Sequence, residues 1–113
     1  MPVLARWIEA AGIPTVVVTM MPELASKLFT PRVVGVEFPF GHPFGLPNDV
    51  AMQRRVLTEA LHVLAGATEF GTRIDIDLEW PVPRKDAYKG WQPPEPSPIT
   101  KWWIERNMLD RSP

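Results

Sequence analysis

Two titratable side chains follow the ends of predicted strands, one in a loop and one in the first turn of a helix. His42 lies between Gly41 and Pro43, which restrict its backbone. It could donate a hydrogen bond to a substrate or move a proton near neutral pH, or it could be a structural histidine bonded to a backbone carbonyl. Glu23 follows Pro22 at the start of a predicted helix, where it could serve as a general base if buried or simply stabilise the helix dipole. His42 and Glu23 are the candidate catalytic residues.

The chain carries no sulfur nucleophile. Its 113 residues include no cysteine, which excludes a disulfide, a thiolate and a cysteine-ligated metal or cluster on this chain. His42 and His62 are too few for a typical zinc site, and His62 lies in a predicted amphipathic helix, where a structural or exposed role is expected. We therefore expect this chain to hold no metal and no cofactor of its own.

Other charged residues indicate a binding site less clearly. Asp75, Asp77 and Glu79 share one face of a predicted strand and could gather a cation, but a spacing of two is also typical of a solvated strand face. Arg54 and Arg55 could contact an anion, although adjacent arginines on a helix usually lie on its solvated face.

Composition bounds the class of protein. A formal net charge of −1 gives no general attraction to nucleic acid or to an anionic membrane, and 45% apolar with 22% charged residues is ordinary for a globular chain. The apolar stretches are far shorter than the roughly 20 residues that span a bilayer, and no signal-peptide pattern is present. The sequence predicts a cytoplasmic protein with one small domain.

Alternating helix and strand patterns must position the candidate residues. Leu4, Trp7, Ile8 and Ala11 form an apolar stripe typical of a helix that Gly12 ends. Three consecutive valines from position 16 favour a strand covered on both faces, as in a parallel sheet. The predicted elements are a helix over 1–12, a strand over 14–19, a helix over 22–29, a strand over 33–38, a helix from Asn48 or Asp49 to about Ala65, and a strand over 72–80.

This order predicts an α/β fold, a partial doubly wound, Rossmann-like and mostly parallel sheet. Parallel strands end on one edge, and open α/β sheets bind ligands outside the carboxyl ends of their strands. We therefore predict a small-molecule pocket where the loops after the first two strands converge. Its predicted binding residues are Thr19, Met20, Met21, Phe38, Pro39, Phe40, Gly41, Pro43 and Phe44.

The composition changes after residue 80. Seven of the chain's 14 prolines and four of its five tryptophans lie in or beside the segment 81–113. A disordered tail is normally poor in aromatic residues, whereas tryptophan is favoured in interface cores. We therefore divide the chain into an α/β domain over 1–80 and an extended Pro/Trp-rich arm over 81–113, which clasps a partner or packs on its own domain.

Three segments in order carry a resemblance to a known family. They are Ala-Gly-Ile-Pro-Thr over 11–15, Pro-Arg-Val-Val-Gly over 31–35, and Phe-Pro-Phe-Gly-His-Pro-Phe-Gly-Leu-Pro over 38–47. Together with the helix carrying Arg54 and Arg55, this region resembles the C-terminal half of the selenoprotein B family. That family comprises component B of glycine, sarcosine and betaine reductase and the related D-proline reductase. The resemblance covers about half of the chain.

The resemblance implies reductive cleavage of a carbon–heteroatom bond by a cysteine or selenocysteine that lies upstream of the matched region in the family. Because this chain has no cysteine, we expect a hetero-oligomer in which a Cys- or Sec-containing partner subunit completes the sheet and supplies the nucleophile. Two alternatives stay open at this point. The chain could be a non-catalytic scaffold subunit that acts through its arm, or a stand-alone enzyme with Glu23 and His42 as an acid–base pair.

Overall fold

The computed structural model describes residues 1–91 and 95–110. Three strands and five helices follow one another in this part of the chain. They are α1 (Pro2–Ala10), β1 (Val17–Thr19), α2 (Pro22–Lys27), β2 (Arg32–Gly35), α3 (Val50–Gly66), β3 (Thr72–Asp75), α4 (Arg84–Trp91) and α5 (Pro98–Asp110).

The strands form one open, fully parallel sheet in the order β1-β2-β3. Val18 is paired with Val34, and Val34 is paired with Ile74 across the sheet. The predicted α/β class and partial parallel sheet are confirmed. Beyond β1 on one side and β3 on the other, the described residues place no further strand.

Helix α3 covers one face of this sheet and forms the core with it. Val34 in β2 and Val36 just after it pack against Val56, Ala60 and Val63 of α3. All five side chains are nearly inaccessible to solvent. The helix begins at Asp49, whose carboxylate accepts a hydrogen bond from the Met52 amide at 3.0 Å. Of the two predicted caps, Asp49 therefore takes the role, because an aspartate acceptor satisfies one of the free amides of the first turn.

Helix α2 lies on the opposite face. Successive strand residues point to opposite sides, so Gly35 faces away from Val34 and Val36. A Cβ at Gly35 would lie only 2.8 Å from the ring of Pro22, the first residue of α2. Proline suits this first helical position because its missing amide would have no partner there.

Every predicted element except the last strand lies within three residues of its bounds in the structure. Gly12 has a φ of +88°, a left-handed conformation that glycine adopts without strain. Helix α1 ends before this residue, so its predicted end is confirmed. Its apolar stripe, however, is largely exposed, with Trp7 75% accessible and only Ala5 buried. Strand β3 ends at Asp75 rather than near Trp80, because the chain beyond Ile76 leaves the sheet and turns over its carboxyl edge.

Most of the described part of the arm over 81–113 is helical, in α4 and α5. The prolines that were expected to hold it in extended backbone instead precede or begin helices: Pro83 accepts the first amide bonds of α4, and Pro98 is the first residue of α5. Ser97 caps α5, accepting from the Thr100 amide at 3.3 Å. Residues 92–94 and 111–113, including Pro93 and Pro94, lie outside the described residues.

The molecule is spread out for its size. Its radius of gyration is 18.4 Å, against about 13 Å for a compact chain of this length. Its accessible surface is 8780 Å², against roughly 6,300 Å² for a folded monomer of 12.8 kDa. Among the helices of the described residues, none has the length and apolar character needed to cross a membrane.

Candidate functional site

A cleft of about 1120 Å³ lies at the carboxyl edge of the sheet. Three chain segments line it: the turn from β1 into α2, the extended chain after β2, and the long segment from β3 into α4. Its lining residues are Met20, Met21, Pro22, Glu23, Leu24, Lys27, Gly35, Val36, Glu37, Phe38, Pro39, Arg73, Asp75, Ile76, Asp77, Leu78, Glu79, Trp80, Pro81, Val82, Pro83, Arg84 and Ala87. The parallel sheet thus gathers loops that are distant in sequence.

Gly35 permits the close approach that forms the floor of this cleft. Any Cβ there would collide with the Asp75 carboxylate and with the Pro22 ring. The absent side chain lets α2 and the end of β3 come together over β2. A larger residue would push one of these cleft walls away from the sheet.

An ion pair fixes one wall of the cleft. The guanidinium of Arg73 donates two hydrogen bonds to Asp75, from Nε to Oδ1 at 3.0 Å and from one Nη to Oδ2 at 2.8 Å. The hydrogen bond from Arg73 lowers the pKa of Asp75, and the same bond raises the pKa of Arg73. Both groups are therefore charged over the whole physiological range.

The cleft lining carries more carboxylates than cations. The acidic members are Glu23, Glu37, Asp75, Asp77 and Glu79, and the basic ones are Lys27, Arg73 and Arg84. This balance favours a ligand with a cationic group over a simple anion. Within the described residues no three acidic or histidine side chains converge as a metal site, so Asp75, Asp77 and Glu79 do not form the cation cluster considered above.

A cluster of aromatic rings lies beside the cleft. The ring of Trp80 lies 5.3 Å from that of Phe38 and 5.5 Å from that of His42, measured between centroids. Phe38 is 5% exposed and belongs to the core. Trp80 therefore connects the cleft, which it lines, to the loop that carries His42.

The structure brings together some of the predicted site residues. Met20, Met21, Glu23, Phe38 and Pro39 line the cleft, so the loops after β1 and β2 do converge at one edge. Thr19, Phe40, Gly41, His42, Pro43 and Phe44 do not line it.

The residues outside the cleft have local roles in the structure. The Thr19 hydroxyl accepts a hydrogen bond from the Met21 amide at 3.0 Å and so shapes the turn into α2. The loop after β2 turns back on itself, with the His42 amide donating to the Pro39 carbonyl and the Gly45 amide to that of His42. This folding carries the half-buried His42 ring against Trp80 rather than into the cleft.

Strand β3 and the segment after it supply cleft residues that the sequence analysis did not place in the pocket. Arg73, Asp77 and Trp80 are the main ones. Regular alternation from Thr72 to Trp80 predicted a strand, whereas the chain leaves the sheet after Ile76. Only the parallel pairing of β3 with β2 reveals that this segment shares the carboxyl edge.

The fold and cleft together define an open α/β chain with a candidate ligand site at the carboxyl edge of its parallel strands. No family model matches the sequence, and no solved structure matches it. Over 78 residues, 69% of this chain, the sequence is 31% identical to the D-proline reductase subunit gamma of Acetoanaerobium sticklandii. The chain matches 32% of that protein's length. It is thus related to one segment of a reductase subunit.

Proposed function

We propose that this chain is a small subunit of a heteromeric reductase of the selenoprotein B type, which cleaves a carbon–heteroatom bond of a small organic substrate. The chain forms one wall of the substrate cleft. A cysteine or selenocysteine on a partner subunit carries the redox chemistry. We expect this complex to act in the cytoplasm.

The observation that carries this proposal is a ligand-sized cleft on a chain without any thiol. The cleft occupies the edge where α/β sheets bind ligands. Neither its lining nor the rest of the sequence holds a cysteine. The similarity to a segment of a D-proline reductase subunit supports a reductive reaction, which then needs its electron donor on another chain.

The reaction balances with a thiol pair or a selenol–thiol pair on the partner. Two electrons from that pair break the carbon–heteroatom bond. One proton then completes the new C–H bond and a second completes the released N–H, S–H or similar group, while the pair becomes a disulfide or a selenosulfide. This chain contributes position and charge to that reaction, not electrons.

The lining charges indicate which substrates suit the cleft. The excess of carboxylates, with Glu23 and Asp77 among them, would attract an ammonium group. Trp80 offers apolar surface beside it. A cyclic or substituted amine fits this combination better than a small anion, and D-proline, named for the relative, is the first compound to test.

His42 and Glu23 would have different roles. Glu23 lines the cleft directly and is exposed, so it could contact the ammonium group of a substrate. His42 reaches the cleft only through its contact with Trp80 and would position that ring. A closer approach of His42 to substrate would need the loop over 39–45 to rearrange in the complex.

The test is purification of the tagged chain from its native host and identification of the copurifying subunit by mass spectrometry. The complex should consume substrate with dithiothreitol as reductant, and the isolated chain should be inactive. Turnover by the lone chain would instead support the stand-alone acid–base alternative. His42→Ala should lower activity of the complex more than His62→Ala, its matched control on the exposed face of α3.

A scaffold subunit is the second candidate, and helix α5 favours it. Ile99, Trp102 and Trp103 are each more than half exposed on this helix, an unusual amount of apolar surface for a monomer. If the arm alone were functional, deleting residues 81–113 would abolish assembly while Glu23→Gln and His42→Ala left the complex fully active. Loss of activity in the latter variants within an intact complex would decide for the reductase wall.

A further inference from the structure

Strand β1 has a free backbone edge. The Thr19 carbonyl accepts a hydrogen bond from the Val36 amide, 3.0 Å away, so Thr19 points its backbone groups towards β2. Backbone groups of successive strand residues point to opposite sides. The N–H and C=O of Val18 therefore point away from β2, towards a side on which the described residues contain no strand.

The two outer edges of the sheet differ in character. Residues 15–20 along β1 carry no charge, and the three valines among them place apolar side chains on both faces of the strand, each only half-buried. The β3 edge carries Arg73 and Asp75, joined by their ion pair. Charged side chains are a common device that blocks further strand pairing at an edge, while a two-sided apolar run is typical of an interior strand.

Helix α1 precedes β1 and leaves most of its apolar stripe uncovered. A six-residue connection leads from α1 to β1, and the Glu9 carboxylate anchors the helix by accepting hydrogen bonds from Thr15 and Arg32. Yet its apolar stripe covers little: Leu4 is 51% and Trp7 75% exposed. In a strand–helix–strand unit such a helix packs over two neighbouring parallel strands, so the uncovered stripe calls for a strand beyond β1.

We infer that a β-strand of the redox partner subunit pairs in parallel with the outer edge of β1 and lies under the exposed stripe of α1. The partner strand is an apolar one rich in β-branched residues, because both faces of its neighbour β1 are apolar. This assignment rests on the proposed function only in naming the redox subunit as the source of the strand.

The surface area is in keeping with such an addition. The chain exposes 8780 Å², an excess of roughly 2,500 Å² over a compact monomer of its mass. A standard interface buries about 800 Å² on each partner. One interface of this size would take up about a third of that excess, and the arm is available for the remainder.

Amide hydrogen exchange of the free chain and of the copurified complex tests this pairing residue by residue. The Val18 amide should exchange rapidly in the free chain and at least tenfold more slowly in the complex. The Ile76 amide donates to the Gly35 carbonyl, so by the same alternation the Arg73 and Asp75 amides form the outer edge of β3. They are the internal control and should be unchanged.

Two variants probe the same contact. Val18→Pro removes an amide that β2 does not use, so the free chain should keep its circular dichroism while its affinity for the partner falls at least tenfold. Because a proline can also distort the strand, Trp7→Ala on α1 is the second variant, with exposed Arg6→Ala as its control. Trp7→Ala should weaken assembly without lowering the Tm of the free chain.

Each outcome bears on the inference separately from the proposed function. An active reductase complex in which Val18 stays open, or in which β3 becomes protected instead, overturns the inference and leaves the proposed function intact. An inactive complex in which the Val18 amide is protected supports the inference and overturns the proposed function. Protection that grows with the concentration of the isolated chain would identify a second copy as the occupant and also overturn the inference. Failure to form any complex removes both.

Discussion

The face of the sheet under α3 buries its apolar side chains, whereas the C-terminal helix α5 exposes them. Under α3, Val34 and Val56 are fully buried. On α5, Trp102 and Trp103 are 56% and 61% exposed, with Trp102 covered in part by the guanidinium of Arg106 at 5.1 Å from the ring centroid. The first region stabilises the chain by itself, whereas the second leaves apolar surface uncovered.

The largest effect is expected from a charge in the covered face. Val56→Asp should destabilise the chain by about 3–5 kcal/mol, because an unpaired carboxylate would be buried among valines. Leu57→Asp, one residue along α3 at a position 50% exposed, should cost less than about 1 kcal/mol. Urea unfolding followed by circular dichroism measures both, and similar midpoints for the two variants would contradict the distinction.

A smaller effect is expected at the opposite face, where α2 meets the sheet. Gly35→Ala should destabilise by about 1–3 kcal/mol, since its methyl group would overlap Pro22 and Asp75. Gly66→Ala, at the end of α3 with open space around it, should be neutral or stabilising by up to about 1 kcal/mol. Thermal unfolding compares the two, and a Gly35→Ala chain as stable as the parent would show that the cleft floor is not tightly packed.

On α5, substitutions should affect assembly but not folding. Trp103→Ala should leave the Tm of the free chain unchanged and weaken the complex about tenfold, as expected for an aromatic residue in an interface core. Lys101→Ala on the same helix is the control and should change neither. A large fall in the Tm of free Trp103→Ala chain would mean that α5 packs on its own domain in solution.

The smallest effect concerns α1 and its anchor. The hydrogen bond from Arg32 lowers the pKa of Glu9 below its ordinary value of 4.5. The folded state therefore gains stability from this contact above pH 4.5 and loses it as the pH falls through the lowered pKa. Glu9→Gln should lower the Tm by a few degrees at pH 7, and the difference should vanish in acid. Exposed Glu69→Gln should not lower the Tm at pH 7.

Much of the fold could be predicted because local chemistry decides it. The valine run gave β1, Pro22 began α2, Gly12 ended α1 and Asp49 capped α3, each through an effect that acts within a few residues. The elements that could not be bounded correctly are those whose limits depend on neighbours. Strand β3 stops where β2 offers no further partner, and the arm folds into helices at prolines that are equally compatible with extended chain.

The candidate site divides along the same line. The convergence of the loops after β1 and β2 follows from parallel strands sharing one edge, so Met20, Met21, Glu23, Phe38 and Pro39 could be foreseen. The position of His42 outside the cleft could not be foreseen, because it depends on how the loop turns against Trp80. Whether His42 takes part in the reaction stays a prediction for the assembled protein.

The sequence by itself determined the class of fold, the order of its elements and the lack of a thiol, because helix and strand periodicity and residue identity are local properties. Only the tertiary structure decided which charges face the cleft, that Arg73 is held by Asp75, and that one sheet edge is apolar while the other is charged. These depend on strand register and on close approaches such as that at Gly35, which bring together residues far apart in the chain.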